Sequence, residues 1–278
     1  MTGAVILDGK AVAARIKQEL QRELAPMRSR PTLAILSFNT PASILYRNAQ
    51  REQATSLGIA ITERIHPTDI TQGAVEADIQ CWNSDPAVHG IFVHQPLPPQ
   101  LDPQRVSAVI DPSKDVEGIH PQNSARRFFA KARIGSCTAL AVMRLIEETG
   151  VALDGKEAVV VGHSEIVGRP VSMLLLDTLA TTTVCHVATK NLQAHVSRAD
   201  VLVVAVGKPQ LIKGAWIKQD AVVIDVGINV VGGKVVGDVE FETARQRAGF
   251  ITPVPGGVGP VTVMMVMKNT LEAFKLQQ

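Results

Sequence analysis

The chain has 278 residues, with 28 Lys+Arg against 26 Asp+Glu and a formal net charge of +2. A balance this close to neutral carries no electrostatic footprint for nucleic acid or an anionic membrane. With 46% hydrophobic residues the chain can build a sizeable core, which excludes disorder as its main state, and roughly 150 residues per domain implies about two domains.

Aromatics make up only 4%, and the single tyrosine is Tyr46. Apolar bulk therefore comes from Val, Ala, Leu and Ile, which suits buried parallel strands covered by helices. Cys81, Cys137 and Cys185 are far apart and form no CxxC. That argues against a disulfide framework or a zinc site, so no metal is expected, and it fits a reducing cytoplasm. The first ten residues lack a basic run and their apolar stretch stops at Asp8, so no signal peptide is expected. No window reaches about 18 uninterrupted apolar residues, so no membrane span is expected either.

In chain order, Val12, Ile16, Leu20 and Leu24 draw one stripe down a helix that Pro26 ends. The pattern then predicts a strand over Thr32 to Leu36, a helix over Pro41 to Leu57 closed by Gly58, and a strand over Ile59 to Ile65. A helix near Ile70 to Trp82 and a strand over Gly90 to Val93 follow. Gln95 to Pro121 is dense in proline and reads mostly as loop. A helix near Thr138 to Thr149 leads into a second α/β series from Glu157, and Thr262 to Leu276 is helical again. Strand–helix alternation predicts two α/β domains, the second a Rossmann-like parallel sheet. The boundaries are placed at 1–137 plus 264–278 for the first domain and 138–263 for the second.

The second series opens with the strand Ala158 to Val161, a turn through Gly162-His163-Ser164, and a helix from about Gly168. Glycines let a backbone approach a phosphate, whose charge the free N–H groups at a helix start favour. The turn is not GxGxxG, so on pattern alone nucleotide binding and an ordinary tight turn both stand. Later strands, Val201 to Val206 and Ala221 to Val226, end in Gly207 and Gly227, where open α/β sheets face their ligands.

Several strings together are more specific. They are Gly162-x-Ser164-x-Ile166-Val167-Gly168-x-Pro170, Val223-Ile224-Asp225-Val226-Gly227-Ile228-Asn229, Gly237-Asp238-Val239 and Thr252-Pro253-Val254-Pro255-Gly256-Gly257. Upstream stand Pro41-Ala42-Ser43-x-x-Tyr46, Pro96-Leu97-Pro98 and Lys114-Asp115-Val116-x-Gly118. In content, order and spacing the chain resembles the bifunctional methylenetetrahydrofolate dehydrogenase/cyclohydrolase family over essentially its whole length. The resemblance implies a cleft between the two α/β domains, with folate in the first and a dinucleotide on the second. It implies oxidation of 5,10-methylenetetrahydrofolate to the methenyl form, hydrolysis to 10-formyltetrahydrofolate, and a homodimer. By position it places Tyr46 and Glu117 against folate, with Pro255, Gly256 and Gly257 as a backbone wall. It places Gly162, His163, Ser164, Ile166, Val187, Gly207 and Ile228 around NAD or NADP.

The departures fall on the chemistry. The family's lysine, four residues after the tyrosine, is Gln50, which cannot exchange a proton near neutral pH. Its glutamine before Pro-Leu-Pro is His94, whose usual pKa near 6.5 suits a general base. Its aspartate is Glu117, one methylene longer. Arg47 and Arg51 stand about 100° around the helix from Tyr46 and Gln50 and read as solvated charges. At the 2′-phosphate positions stand His163 and Val187, so the guanidinium grip on NADP is gone. Catalytic candidates are thus Tyr46, Gln50, His94 and Glu117. The first reading is transfer of the methylene unit to a second small-molecule substrate without redox, cyclohydrolase activity being lost. The alternatives are an NAD-linked dehydrogenase without cyclohydrolase activity, and a non-catalytic folate-binding protein.

Overall fold

The computed structural model describes residues 3–129 and 132–278, with the backbone alone at residues 41 and 42. The chain divides into two compact units, Met1–Arg15 with Thr138–Thr262, and Ile16–Cys137 with Val263–Gln278. Its first half runs β1 (Val5–Ile6), α1 (Gly9–Leu24), β2 (Thr32–Phe38), α2 (Pro41–Leu57), β3 (Ala60–His66), α3 (Gln72–Ser84) and β4 (Gly90–Val93). Then come α4 (Pro103–Val109), α5 (Pro121–Phe128), α6 (Cys137–Glu147), β5 (Glu157–Val161), α7 (Gly168–Asp177) and β6 (Thr181–Cys185). The remainder is α8 (Leu192–Val196), β7 (Val201–Val204), β8 (Val222–Asp225), β9 (Asn229–Val231), β10 (Lys234–Val236), α9 (Phe241–Ala244), β11 (Phe250–Ile251) and α10 (Val258–Leu276). Among the described residues no helix is long and apolar enough to cross a membrane.

One unit holds a three-stranded parallel sheet in the order β3-β2-β4. Its core gathers Ala34, Leu36 and Phe38 of β2, Ile91 and Val93 of β4, and Val75, Ile79 and Trp82 of α3. Helix α2 starts where Thr40 Oγ1 accepts from Ser43 N and stops at Gly58, whose φ of 70° closes the last turn. The proline-rich stretch is not all loop. Pro103 takes the first position of α4 and Asp102 caps it, so the proline opens a helix rather than preventing one.

The other unit holds a six-stranded sheet in the order β1-β11-β8-β7-β5-β6, every pair of it parallel. From β5 the chain goes first to β6 on one side and then to β7 on the other. That reversal is a topological switch point, where open α/β sheets bind ligands at the carboxyl ends of the strands. Strand β1 pairs with β11, Val5 opposite Phe250 and Ile6 opposite Ile251. Residues 3–15 therefore group with the six-stranded sheet, whereas the sequence placed them in the first domain. Local patterning shows that Val5 and Ile6 are extended but not which edge they join.

Candidate functional site

In the three-stranded unit, the inner face of α2 carries Ser43, Arg47, Gln50, Ala54 and Leu57, all buried. Their spacing of three and four residues is the helical repeat, so polar and apolar groups share one stripe facing the sheet. Strand β4 leads into His94, which is 1% exposed. Its Nε2 lies 2.8 Å from Gln50 Oε1. An amide oxygen only accepts, so Nε2 carries the proton and Nδ1 is the ring's acceptor. Gln50 Nε2 is buried with no partner among the described residues.

Phe92 on β4 and His94 just past its end, two residues apart, bring their rings to 5.3 Å between centroids. Tyr46 completes the cluster, 5.6 Å from the His94 ring and edge-on at 75°, and 6.0 Å from Phe92. Burial, and then the guanidinium charge of Arg47, hold His94 down at about 4. At neutral pH the ring is uncharged and a weak base, so the general-base role that the sequence suggested for His94 loses its footing.

Glu117 enters from the segment after Lys114. Lys114 Nζ donates to the Trp82, Asn83 and Asp85 carbonyls at 2.8–3.0 Å, anchoring that segment to the end of α3. Ile91 N donates to Lys114 O at 2.7 Å, and Asp115 bridges Ile91. Asn269 Nδ2 donates to Val116 O at 2.7 Å and to Gly135 O at 2.8 Å. Held this way, Glu117 keeps one carboxyl oxygen, Oε2, buried without a partner. Burial, reinforced by the charge of Asp115, pushes Glu117 up to about 8. Tyr46 is pushed well above its usual value by burial, then by Cys137 and Glu117. The structure thus brings Tyr46, Gln50, His94 and Glu117 into one cluster.

Arg47 belongs there too, contrary to the solvated position expected for it. It is 9% exposed, and Nη1 donates to Ser37 Oγ at 2.9 Å at the end of β2. The signal was the buried stripe: Arg47 lies four residues after Ser43 and three before Gln50, on the same face. Arg51, by contrast, is exposed and ion-paired with Glu63.

In the six-stranded unit, the cofactor candidates line up at the carboxyl ends of the strands. Gly162 follows β5 with a φ of 123°, and a Cβ there would stand 2.2 Å from Ala205 O. Only glycine fits, because the backbone is left-handed and Ala205, one residue past the end of β7, crosses it closely. Ser164 Oγ accepts from Val167 N at 3.2 Å and Gly168 N at 3.4 Å, at the start of α7. The His163 and His186 rings lie 5.3 Å apart, and Val187 after β6 is 90% exposed. Ile228 lies beyond β8, 70% exposed. Gly207 beyond β7 is held by Asp238, which accepts from Val206 N, Gly207 N and Lys208 N at 2.7–3.0 Å.

Asp225 accepts from Gly227, Asp238 and Val239 N–H groups, and burial pushes it up to about 6. Asp225 and Asp238 thus shape the strand-end loops through contacts between separate strings of the sequence. After β11 the loop of Pro255, Gly256 and Gly257 turns with Gly256 at a φ of 105°, and Gly256 O accepts from Gly9 N at 2.9 Å.

A switch-point βα turn in one α/β unit and a buried polar cluster in the other define a nucleotide-dependent enzyme of two α/β parts. Residues 7–117 match the tetrahydrofolate dehydrogenase/cyclohydrolase catalytic domain, and residues 136–278 match that family's NAD(P)-binding domain. The chain belongs to the tetrahydrofolate dehydrogenase/cyclohydrolase family. It is 48% identical over 277 residues to the bifunctional protein FolD of Geotalea uraniireducens, covering 98% of this chain and 99% of that protein. It is similar in structure to the Trypanosoma brucei methylenetetrahydrofolate dehydrogenase-cyclohydrolase solved with NADP and an inhibitor. That match has a TM-score of 0.95 and 40% identity, and covers 99% of each chain. The NAD-dependent 5,10-methylenetetrahydrofolate dehydrogenase of Saccharomyces cerevisiae shares the fold, at 21% identity and a TM-score of 0.83, over 99% of this chain and 98% of that one.

Proposed function

We propose that the protein oxidises 5,10-methylenetetrahydrofolate to the methenyl form and does not hydrolyse the product, with NAD preferred over NADP. The observation that carries this reading is Gln50, buried and bonded to His94 where the family has its lysine. Neither partner of that pair takes up a proton at neutral pH, so nothing there activates water. Hydride transfer needs alignment rather than a proton carrier, and the aligning parts are intact. Tyr46 and Phe92 offer ring faces to a flat pterin, and the unpartnered Gln50 Nε2 and Glu117 Oε2 offer polar atoms to its edge.

The βα turn fits a dinucleotide pyrophosphate. Gly162 leaves no side chain in the way, and the N–H groups at the start of α7 favour the phosphate charge. When bound, the dinucleotide supplies the hydride acceptor. His163 and Val187 offer no guanidinium to a 2′-phosphate, which supports NAD. Three unpaired cysteines support a cytoplasmic setting. Edge strand β6, with Val184 and the nearby Leu179 exposed, supports a homodimer through this unit.

Pure protein given 5,10-methylenetetrahydrofolate and NAD is expected to accumulate the methenyl form, read by its near-ultraviolet absorbance, without decay to the formyl product faster than in buffer. Enzyme-dependent decay would overturn the loss of hydrolysis, and no methenyl with either dinucleotide would overturn the dehydrogenase.

In that last event a second reading takes over, favoured by the proton that Glu117 keeps to about pH 8. Methylenetetrahydrofolate, a carbon-acid acceptor and water would give tetrahydrofolate and the hydroxymethylated acceptor, with no net oxidation or reduction. Glu117 would give its proton to the folate nitrogen that leaves as the methylene bridge opens.

A further inference from the structure

Arg47 is a buried charge of the folate unit that neither reading uses. A guanidinium cannot shed its charge, and burying one without a counter-charge costs several kcal/mol. Among the described residues Arg47 has no carboxylate partner; its single bond is to the neutral Ser37 hydroxyl. Its Nε is buried without an acceptor. Two further groups on the same helix face, Ser43 Oγ and Gln50 Nε2, are buried and equally without partners. Three polar groups capable of donating, one of them charged, thus share the stripe that faces the end of β2 and His94. Among the described residues no acceptor answers them. The neighbouring acids are bonded to none of the three: Asp115 Oδ2 accepts from His120 N and Asn123 Nδ2, its Oδ1 is buried without a partner, and Glu117 holds its proton at neutral pH.

We infer that Arg47 is the anchor of a second ligand site in the folate unit, which takes the carboxylate of a small organic acid beside His94. A carboxylate matches the guanidinium in charge and in its two acceptor oxygens, and the Gln50 amide can donate to the same group. The ligand is a short acid rather than a phosphate ester, because the neighbouring rings of Tyr46, Phe92 and His94 form a largely apolar wall. The site goes beyond the oxidation proposed above. It also supplies the kind of acceptor that the second reading needs, an acid with an ionisable C–H. One carboxylate could instead come from the glutamate tail of folate, and the test separates the two.

The His94 ring is the built-in reporter, since Arg47 is one of the two causes that hold its pKa down. The other groups facing it are Tyr46, Gln50 and Phe92, none of which is charged at neutral pH. The full chain is titrated by proton NMR, His94 being assigned among the seven histidines with His94→Gln. Saturating acetate is expected to raise the His94 pKa by about one unit, acetamide to leave it unchanged, and Arg47→Leu to abolish the response to acetate. No response to acetate, an equal response to acetamide, or an unchanged response in Arg47→Leu overturns the inference. Acetate displaced by tetrahydrofolate but not by tetrahydropteroate would assign the carboxylate to the glutamate tail and overturn the second ligand. Failure of methylene transfer leaves these outcomes untouched, so the site and the reaction stand or fall separately.

Discussion

Replacing Gln50 by lysine sets the residue that the family resemblance implies at this position into a pocket whose other groups are Tyr46, Arg47 and His94. The substitution puts an amine where the structure has a fully buried amide, bonded to His94 and on the same face as the buried guanidinium of Arg47. Losing the hydrogen bond and stranding a buried donor costs about 1–3 kcal/mol. The amine's charge is the larger effect. Full burial lowers a lysine by about 3–5 units, and three units at 1.36 kcal/mol each are about 4 kcal/mol at pH 7. The variant should therefore lose about 5–7 kcal/mol, a large part of a typical domain's stability of about 5–15 kcal/mol.

The sign of the pH dependence follows. The unfolded chain keeps the lysine proton to about pH 10.4 whereas the folded chain releases it well below, so the unfolded state binds more protons in between. Between pH 7.5 and 9.5 the deficit should narrow by about 2–3 kcal/mol. Urea unfolding of parent and Gln50→Lys at the two pH values measures this, with shifts common to both cancelling. A second substitution, Arg47→Leu, should recover about 1–2 kcal/mol by removing the like charge and give the lysine a path to methenyl hydrolysis. A lysine variant as stable as the parent at pH 7.5, or a deficit equal at both pH values, refutes the reasoning.

Arg47→Leu alone should raise stability by about 1–3 kcal/mol, because an unpaired buried charge is replaced by apolar volume; a urea midpoint below the parent's would contradict it. His94 takes up its proton near 6.5 when unfolded but only at about 4 when folded. Its contribution to stability is therefore complete above pH 6.5 and is lost as the pH falls toward 4, at about 1.4 kcal/mol per unit. Thermal unfolding of His94→Gln across that window should show a correspondingly flatter fall than the parent. Gly162→Ala sets a side chain into left-handed backbone and against Ala205 O; it should cost about 2 kcal/mol or more and remove NAD binding by calorimetry while folate binding persists.

Much of the fold was legible because its signals are local. Helix α2 runs from Pro41 to Leu57 as its cap and Gly58 announce, and β4 covers Gly90 to Val93 as its apolar run does. What escaped was decided elsewhere in the chain. The pairing of β1 with β11 joins residues 245 apart in number, and proline density alone does not tell a loop from Pro103 at the start of a helix capped by Asp102. In the site, Tyr46, Gln50, His94 and Glu117 were visible as positions, but not their coupling. Arg47 was judged by its angle from Tyr46, whereas the stripe through Ser43, Gln50 and Ala54 would have put it inside. Unanswered polar atoms, such as Gln50 Nε2 and Glu117 Oε2, have no sequence signal at all, since they depend on what every neighbour fails to offer.

The substitutions at 50, 94 and 117 act together, and Glu117 is where their effect can be read. With glutamine at 50 and a histidine held at about 4, the group in this cluster that titrates nearest neutrality is Glu117, at about 8. Two roles for it make opposite demands on pH. If Glu117 grips the amino and lactam N–H groups of a pterin, its ionised form binds, and below pH 8 each binding event must first expel the proton. KM for the folate should then fall about tenfold per pH unit as the pH rises toward 8 and level off above it, with kcat steady. If Glu117 gives its proton to a departing folate nitrogen, the protonated form works, and kcat should fall about tenfold per unit above pH 8 with KM little changed. Glu117→Gln separates the same cases: it cannot donate a proton and has an amide in place of the carboxylate, so both pH dependences should vanish. A profile flat in both constants from pH 6 to 9 would remove Glu117 from the chemistry and leave alignment alone to carry the reaction.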